Sequence, residues 1–120
     1  MSTNTCVWFE IPVTDLDRAR TFYGKVLGRD LSRIDDGPNP MVAFTDMSDG
    51  GVSGHLYPGK PAGAGAGTTI HLAAPDGLDA TAARVREAGG EVVSEPIEIP
   101  SGAFFYATDP DGNSIGFFGS

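Results

Sequence analysis

Hydrophobic and polar residues alternate over residues 6–13, and this pattern predicts a β-strand with two unlike faces. The apolar face carries Phe9, Ile11 and Val13. The opposite face carries Trp8, Glu10 and Pro12. Because Pro12 has no N–H group to donate to a neighbouring strand, we expect this strand at the edge of its sheet.

After this strand the hydrophobic spacing lengthens to three and four residues, which is typical of one face of an α-helix. The apolar positions on this face are Leu16, Ala19, Phe22, Tyr23, Val26 and Leu27. Thr14 and Asp15 precede them as N-cap candidates, since their side-chain oxygens can accept from the free N–H groups of the first turn. Gly28 follows where a left-handed residue would end the helix.

The remaining pattern predicts a second copy of the same order of elements. Short strands are expected at residues 31–34, 41–44 and 51–57. A Gly/Ala segment without periodicity, residues 58–67, is expected to be a linker. After it come a strand at 68–74, a helix at 78–88 and strands at 91–99, 103–107 and 114–118. We therefore predict one domain over residues 1–120, with a first module at 6–57 and a second at 68–120.

An internal comparison supports duplication of a βαβββ unit. When the chain is shifted over itself by 62 residues, eight identical residues align, mostly at helix ends and turns. Gly28 meets Gly90, Gly54 meets Gly116, and the pair Asp49-Gly50 meets Asp111-Gly112. Backbone geometry restricts the residue at such positions. The predicted fold class is α+β, with two βαβββ modules whose curved mixed sheets form a cup backed by helices.

Composition narrows the environment and the partners. Hydrophobic residues make up 40% of the 120 residues and charged residues 20%, which is typical of a globular chain. The net charge of −8 disfavours nucleic acid and anionic membrane surfaces as partners. The sequence shows no membrane span and no signal-peptide pattern, so a cytoplasmic location is expected. Cys6 has no second cysteine to pair with, and we predict a half-buried thiol in the first strand.

Two segments at opposite ends of the chain resemble a known superfamily. The run EIPVTDLDRARTFY at residues 10–23, followed by Leu27-Gly28, resembles the opening of vicinal oxygen chelate proteins. This superfamily includes glyoxalase I, bleomycin-resistance proteins and extradiol dioxygenases. The turn DPDGN at residues 109–113 resembles its closing turn, and VREAGG at 85–90 also fits. The resemblance implies two βαβββ modules, commonly a homodimer, and a ligand cup completed by a second module or a partner copy.

The resemblance also implies positions for a divalent metal ion, on the first and fourth strands of each module. In this sequence those positions fall on Trp8, Gly54, Gly116, and either Thr69 or Ile70. Transition-metal sites use imidazole, thiolate or carboxylate ligands, and none of these residues supplies one. We therefore predict that this chain lacks the usual divalent metal and needs no cofactor.

Glu10 and His71 are the candidate catalytic residues. Glu10 shares the cup face with Trp8, and His71 shares it if Ile70 and Leu72 pack on the helix. A carboxylate and an imidazole can act together as acid and base. As an alternative, Glu10, His55 and His71 form a displaced divalent-metal site. Against that alternative, His55 follows Gly54 directly and is expected to point away from the cup.

Trp8, Glu10 and Tyr106 are the candidate ligand-binding residues. A large aromatic side chain in the cup stacks on a planar ligand or simply fills the cup, and the sequence leaves both open for Trp8. The predicted function is binding of a small organic molecule in the cup without a divalent metal. The alternative is an enzyme of the superfamily, a lyase, isomerase or dioxygenase, that uses Glu10 and His71 or the displaced metal site.

Overall fold

The computed structural model describes residues 5–45 and 51–119, which form two mixed β-sheets, each packed against one α-helix. The first half contains β1 (Trp8–Val13), α1 (Leu16–Leu27), β2 (Ser32–Ile34), β3 (Met41–Ala43) and β4 (Ser53–Pro58). The second half contains β5 (Ile70–Ala73), α2 (Leu78–Glu87), β6 (Glu91–Val92), β7 (Ile97–Ile99), β8 (Gly102–Thr108) and β9 (Ser114–Gly119). Asp49 and Gly50, used in the internal comparison, lie outside the described residues.

The two sheets have the same strand order, which confirms the predicted α+β fold. In the first sheet the order is β1-β4-β3-β2, and in the second it is β5-β9-β8-β6, with β7 also paired to β8. The first and last strands of each half run parallel, and the other pairs are antiparallel. As predicted from Pro12, β1 lies at the edge of its sheet.

Helix α1 begins and ends where the sequence predicted. The Asp15 carboxylate accepts a hydrogen bond from the Arg18 backbone N–H at 3.0 Å, so it caps the first turn. Gly28 ends the helix with φ 68°, in the left-handed region that glycine enters at little cost. These local interactions fix the direction in which the chain leaves β1 and returns to the sheet.

The segment 91–99 forms two strands rather than the single strand that was predicted. β6 ends at Val92 and β7 begins at Ile97, while their partner β8 continues without a break. The Ser94 hydroxyl accepts from the Tyr106 backbone N–H at 2.9 Å, in place of a backbone carbonyl. Pro96 has no N–H group to offer the ladder, so regular pairing resumes only after it.

One hydrophobic core joins both halves. Its fully buried side chains come from both helices and both sheets, and the largest are Tyr23, Phe22, Phe105, Phe117, Leu56 and Ile115. Cys6 lies before β1 and is exposed, so the prediction of a half-buried strand thiol was wrong. Among the described residues, no helix is long and apolar enough to cross a membrane.

The turn at residues 109–113 ties the second half to the first. The buried Asp109 carboxylate accepts four hydrogen bonds: from the backbone N–H groups of Asp111 and Asn113, from the Asn113 amide and from the Tyr23 hydroxyl. The Asn113 amide also donates to the Pro12 carbonyl at 2.8 Å. Burial, together with the Asp109 charge, raises the pKa of the Tyr23 hydroxyl well above its ordinary value. This turn therefore sets β1 against the second half of the chain.

Candidate functional site

The face of the first sheet that lies opposite helix α1 carries most of the predicted chemistry, and we call it the first open face. Ile11 and Leu56 are buried on the helix side of adjacent strands β1 and β4. Because side chains alternate along a strand, Trp8, Glu10, His55 and Tyr57 project from the opposite side. Glu10 and His55 occupy paired positions in the register of the two strands.

Three side chains of this face lie in contact in a row, and the first contact is a hydrogen bond. The Trp8 Nε1–H donates to His55 Nδ1 at 2.8 Å. On the other side of the ring, His55 Nε2 lies 3.2 Å from Glu10 Oε1. The His55 side chain is 15% exposed and the Glu10 side chain 61% exposed. The imidazole is therefore enclosed between its two partners, whereas the carboxylate is open to a ligand.

A cavity of about 700 Å³ lies beside His55 and Glu10. Its wall combines three side chains of the first open face with the Pro-rich connection between β2 and β3: Glu10, His55, Tyr57, Pro58, Ile34, Gly37, Pro38, Asn39, Pro40 and Met41. The volume is within the range of small-molecule sites, roughly 300–1,000 Å³, and mostly apolar walls with few polar groups are typical of such sites. Trp8 is not part of this lining, but it donates a hydrogen bond to His55, which is.

The second sheet has a different open face, which carries His71 and Tyr106. His71 on β5 lies opposite Gly116 on β9. Ile70 and Leu72 pack on the core, which was the condition for His71 to lie on the open face. The His71 ring packs edge-on against Phe104 and Tyr106, with centroid distances of 5.2 and 5.8 Å. A Cβ atom at position 116 would overlap the His71 ring, so a larger residue there would displace that ring.

The structure thus brings Glu10 together with His55, while His71 and Tyr106 lie on the other sheet. The prediction that His55 points away from the cup was wrong. Gly54 is the residue on the core side, where a Cβ atom would overlap the Phe9 ring. Glu10 in the first sheet corresponds by register to His71 in the second, and His55 corresponds to Gly116.

The error came from the ungapped internal comparison. A shift of one residue along a strand moves every side chain to the other face of the sheet. The shift of 62 residues aligns Phe9 with His71, although Phe9 packs on the core and His71 does not. The apolar residues Ile70 and Leu72 were the signal that could have corrected the alignment. They match the core-facing residues of β1 only when the chain is shifted by 61 residues.

Within one chain, the described donors fall short of the set that the divalent ion implied by the resemblance would need. Zinc sites in proteins use three or four side-chain ligands. Within residues 5–45 and 51–119, no group of three His, Cys, Asp or Glu residues is arranged to hold a metal ion. Glu10 and His55 offer two donors, and His71, the third residue of the displaced site, lies on the second sheet.

Comparisons with known proteins agree with this architecture. The profile of the Glyoxalase/Bleomycin resistance protein/Dioxygenase superfamily matches residues 5–117. The chain is 35% identical over 112 residues, 92% of its length, to the proteins named "Putative glyoxylase CFP32" from Mycobacterium bovis and Mycobacterium tuberculosis. It spans only 42% of the length of these curated relatives.

Two solved structures of similar size also resemble this chain. A glyoxalase/bleomycin resistance protein from Albidiferax ferrireducens T118 is 25% identical with a TM-score of 0.67, covering 93% of this chain and 95% of that one. TnmS3 from Streptomyces sp. CB03234, described as an antibiotic binding protein, is 26% identical with a TM-score of 0.58, covering 98% and 97%. Both matches span nearly the full length of each chain, and both therefore include the two sheets.

Proposed function

The chain belongs to the glyoxalase/bleomycin resistance protein/dioxygenase superfamily, and on this premise we propose that it binds a small organic molecule in the cavity beside Glu10 and His55. The observation that carries the proposal is a cavity of about 700 Å³ whose wall places one open carboxylate among apolar side chains. The description of TnmS3 as an antibiotic binding protein supports binding as a function of this architecture.

The lining favours an aromatic ligand that carries a cationic or N–H donor group. Tyr57 and the prolines of the cavity supply apolar surface on which a planar ring can lie. Glu10 has one carboxylate oxygen beside His55, so its other oxygen is available to accept from the ligand. The net charge of −8 attracts a cation over a longer range.

The ligand is bound without a divalent metal in this proposal. Glu10 and His55 supply only two donors, which is fewer than a structural or catalytic zinc site uses. The test is metal analysis of protein purified without chelators, together with titration by Zn, Ni, Mn and Fe(II). Near-stoichiometric metal that is lost in both Glu10→Ala and His71→Ala would contradict a metal-free site and support the displaced one.

An enzyme remains the second candidate, because Glu10 and an imidazole form a workable acid–base pair. Within one chain the partner of Glu10 is His55 rather than the predicted His71. His71 joins Glu10 only if a second copy of the chain in a homodimer brings its second open face to the first. The name glyoxylase, given to CFP32, favours this candidate. Loss of turnover in Glu10→Gln, with ligand binding retained, would distinguish an enzyme from a binding protein.

Binding can be measured with the protein's own fluorescence, because Trp8 is the single tryptophan and contacts the site through His55. The probes are 1-naphthylmethylamine, 1-naphthalenemethanol and 1-naphthoate, which share one ring system and differ in charge. We expect saturable changes with affinity decreasing from the amine to the alcohol to the carboxylate.

Two variants test the role of the carboxylate in that series. Glu10→Gln should remove the preference for the amine, while the matched change Glu98→Gln, at an exposed position on β7, should leave it intact. Tyr57→Ala should weaken all three probes alike, because it removes apolar surface and not charge. An amine preference that survives Glu10→Gln would contradict the proposed site.

A further inference from the structure

We propose that Trp8 is a positioning residue that fixes the tautomer of His55, holding its proton on Nε2. The hydrogen bond from Trp8 and the 3.2 Å contact with Glu10 both join side chains of the protein itself. The inference therefore does not depend on the proposed ligand, and either can fail without the other.

The argument begins with what each group is able to do. An indole N–H can only donate, whereas a neutral imidazole has one nitrogen that donates and one that accepts. The Trp8 Nε1–H lies 2.8 Å from His55 Nδ1, so that nitrogen must present its lone pair. The single proton of the neutral ring is then on Nε2.

The second contact selects the same tautomer. His55 Nε2 faces Glu10 Oε1 at 3.2 Å, and a carboxylate oxygen can only accept. The opposite tautomer would set two N–H groups against each other at Trp8 and a lone pair against a carboxylate at Glu10. Two independent neighbours, one donor and one acceptor, therefore favour the same single arrangement of the proton.

This arrangement is the reverse of the one that a metal-binding histidine needs. A histidine ligand gives the metal a deprotonated nitrogen and donates its other N–H to an acceptor. In His55 the nitrogen beside Glu10 carries the proton, and the other nitrogen meets a donor. While Trp8 is in place, His55 presents an N–H rather than a lone pair to Glu10.

The hydrogen bond itself can be observed in the unmodified protein. In uniformly ¹⁵N-labelled protein, we expect a scalar coupling across the bond between Trp8 Nε1 and His55 Nδ1. Long-range ¹H–¹⁵N correlation should show His55 Nδ1 as the unprotonated nitrogen and Nε2 as the protonated one. Absence of the coupling, or a protonated Nδ1 in the neutral ring, would overturn the inference.

Trp8→Phe then measures the effect of the N–H group, because it keeps an aromatic ring and removes the donor. We expect the ratio of the Nε2-protonated to the Nδ1-protonated tautomer of His55 to fall by roughly twofold to tenfold, the range that one neutral hydrogen bond supplies. His71, which packs against Phe104 and Tyr106 on the other sheet, is the internal reference and should not change. An unchanged ratio at His55 would contradict the role of Trp8.

Addition of Zn(II) to the wild-type protein gives a second, independent measurement. We expect the His55 nitrogen resonances to keep their positions at Zn(II) concentrations that saturate a typical three-ligand site. A shift of Nε2 to the position of a metal-bound nitrogen would overturn the inference, because it would show that the ring can exchange its tautomer in the presence of Trp8. Glu10→Gln should retain the tautomer, since the Trp8 bond remains.

Discussion

Removing the Tyr23 hydroxyl tests whether the buried turn at residues 109–113 stabilises the fold through its hydrogen bonds. Tyr23→Phe retains the ring, which packs edge-on against Phe22 and Phe44 at 4.9 and 5.3 Å. The substitution removes only the hydrogen bond to Asp109 Oδ2, which is 2.7 Å long and inaccessible to solvent. The other three hydrogen bonds to the Asp109 carboxylate stay in place.

The magnitude follows from the charge and burial of the acceptor. A hydrogen bond to a charged group contributes about 1.5–3 kcal/mol, and a buried carboxylate that loses a donor has no water to replace it. We therefore expect Tyr23→Phe to lower the free energy of unfolding by about 1.5–3 kcal/mol. The measurement is urea unfolding, in which the midpoint should fall and the slope should stay the same.

The matched control is Tyr106→Phe, which makes the same chemical change at a half-buried position on the second open face. Its unfolding free energy should change by less than about 0.5 kcal/mol, as is usual for partly exposed sites. A loss in Tyr23→Phe no larger than in this control would refute the reasoning, because the carboxylate would then be satisfied without the hydroxyl.

The raised pKa of the same hydroxyl predicts that the stability of the fold decreases at alkaline pH. The pKa of Tyr23 is raised well above its ordinary value of 10.0, so the folded protein holds the proton more tightly than the unfolded chain does. The stabilisation that this provides is fully present below pH 10.0 and is lost as the pH rises toward the higher pKa of the folded state. Above pH 10.0, the free energy of unfolding of the wild type should therefore fall more steeply than that of Tyr23→Phe.

Three further substitutions test local features of the fold. Gly116→Ala should cost about 0.5–1.5 kcal/mol because its methyl group displaces the exposed His71 ring, and His71→Ala should restore much of that loss in the double variant, measured by urea unfolding. Asp15→Ala should cost about 0.5–2 kcal/mol through loss of the cap at the Arg18 N–H, seen as a lower thermal midpoint. Gly28→Ala should cost about 1–2 kcal/mol because φ is 68° there, and a neutral result in calorimetry would contradict that explanation.

Features set by neighbouring residues were predictable from the sequence. Asp15, the apolar positions of α1 and Gly28 specify that helix locally, and the structure ends it at the same residues. Pro12 correctly placed β1 at an edge, because the missing N–H is a property of one residue. In both cases the cause lies within a few residues of its effect, so the sequence carries it directly.

Features that depend on strand register were harder to predict. The side of the sheet on which His55 lies was inferred from an alignment of the two halves that is wrong by one residue, and the identical glycines at 54 and 116 concealed that shift. The interruption between Val92 and Ile97 depends on the Ser94 hydroxyl reaching the Tyr106 N–H on another strand. The partner of Trp8 was not predictable for the same reason, since His55 is 47 positions away in the chain.

The two sheets show how one scaffold supports unequal faces. At corresponding register positions the first sheet pairs Glu10 with His55, and the second pairs His71 with Gly116. Glycine lets the His71 ring lie directly over the neighbouring strand, which leaves it among aromatic rings. In the first sheet a full-sized side chain occupies both positions, so the imidazole is held beside a carboxylate instead. The difference in chemistry between the faces thus follows from one pair of register positions, at which both residues differ.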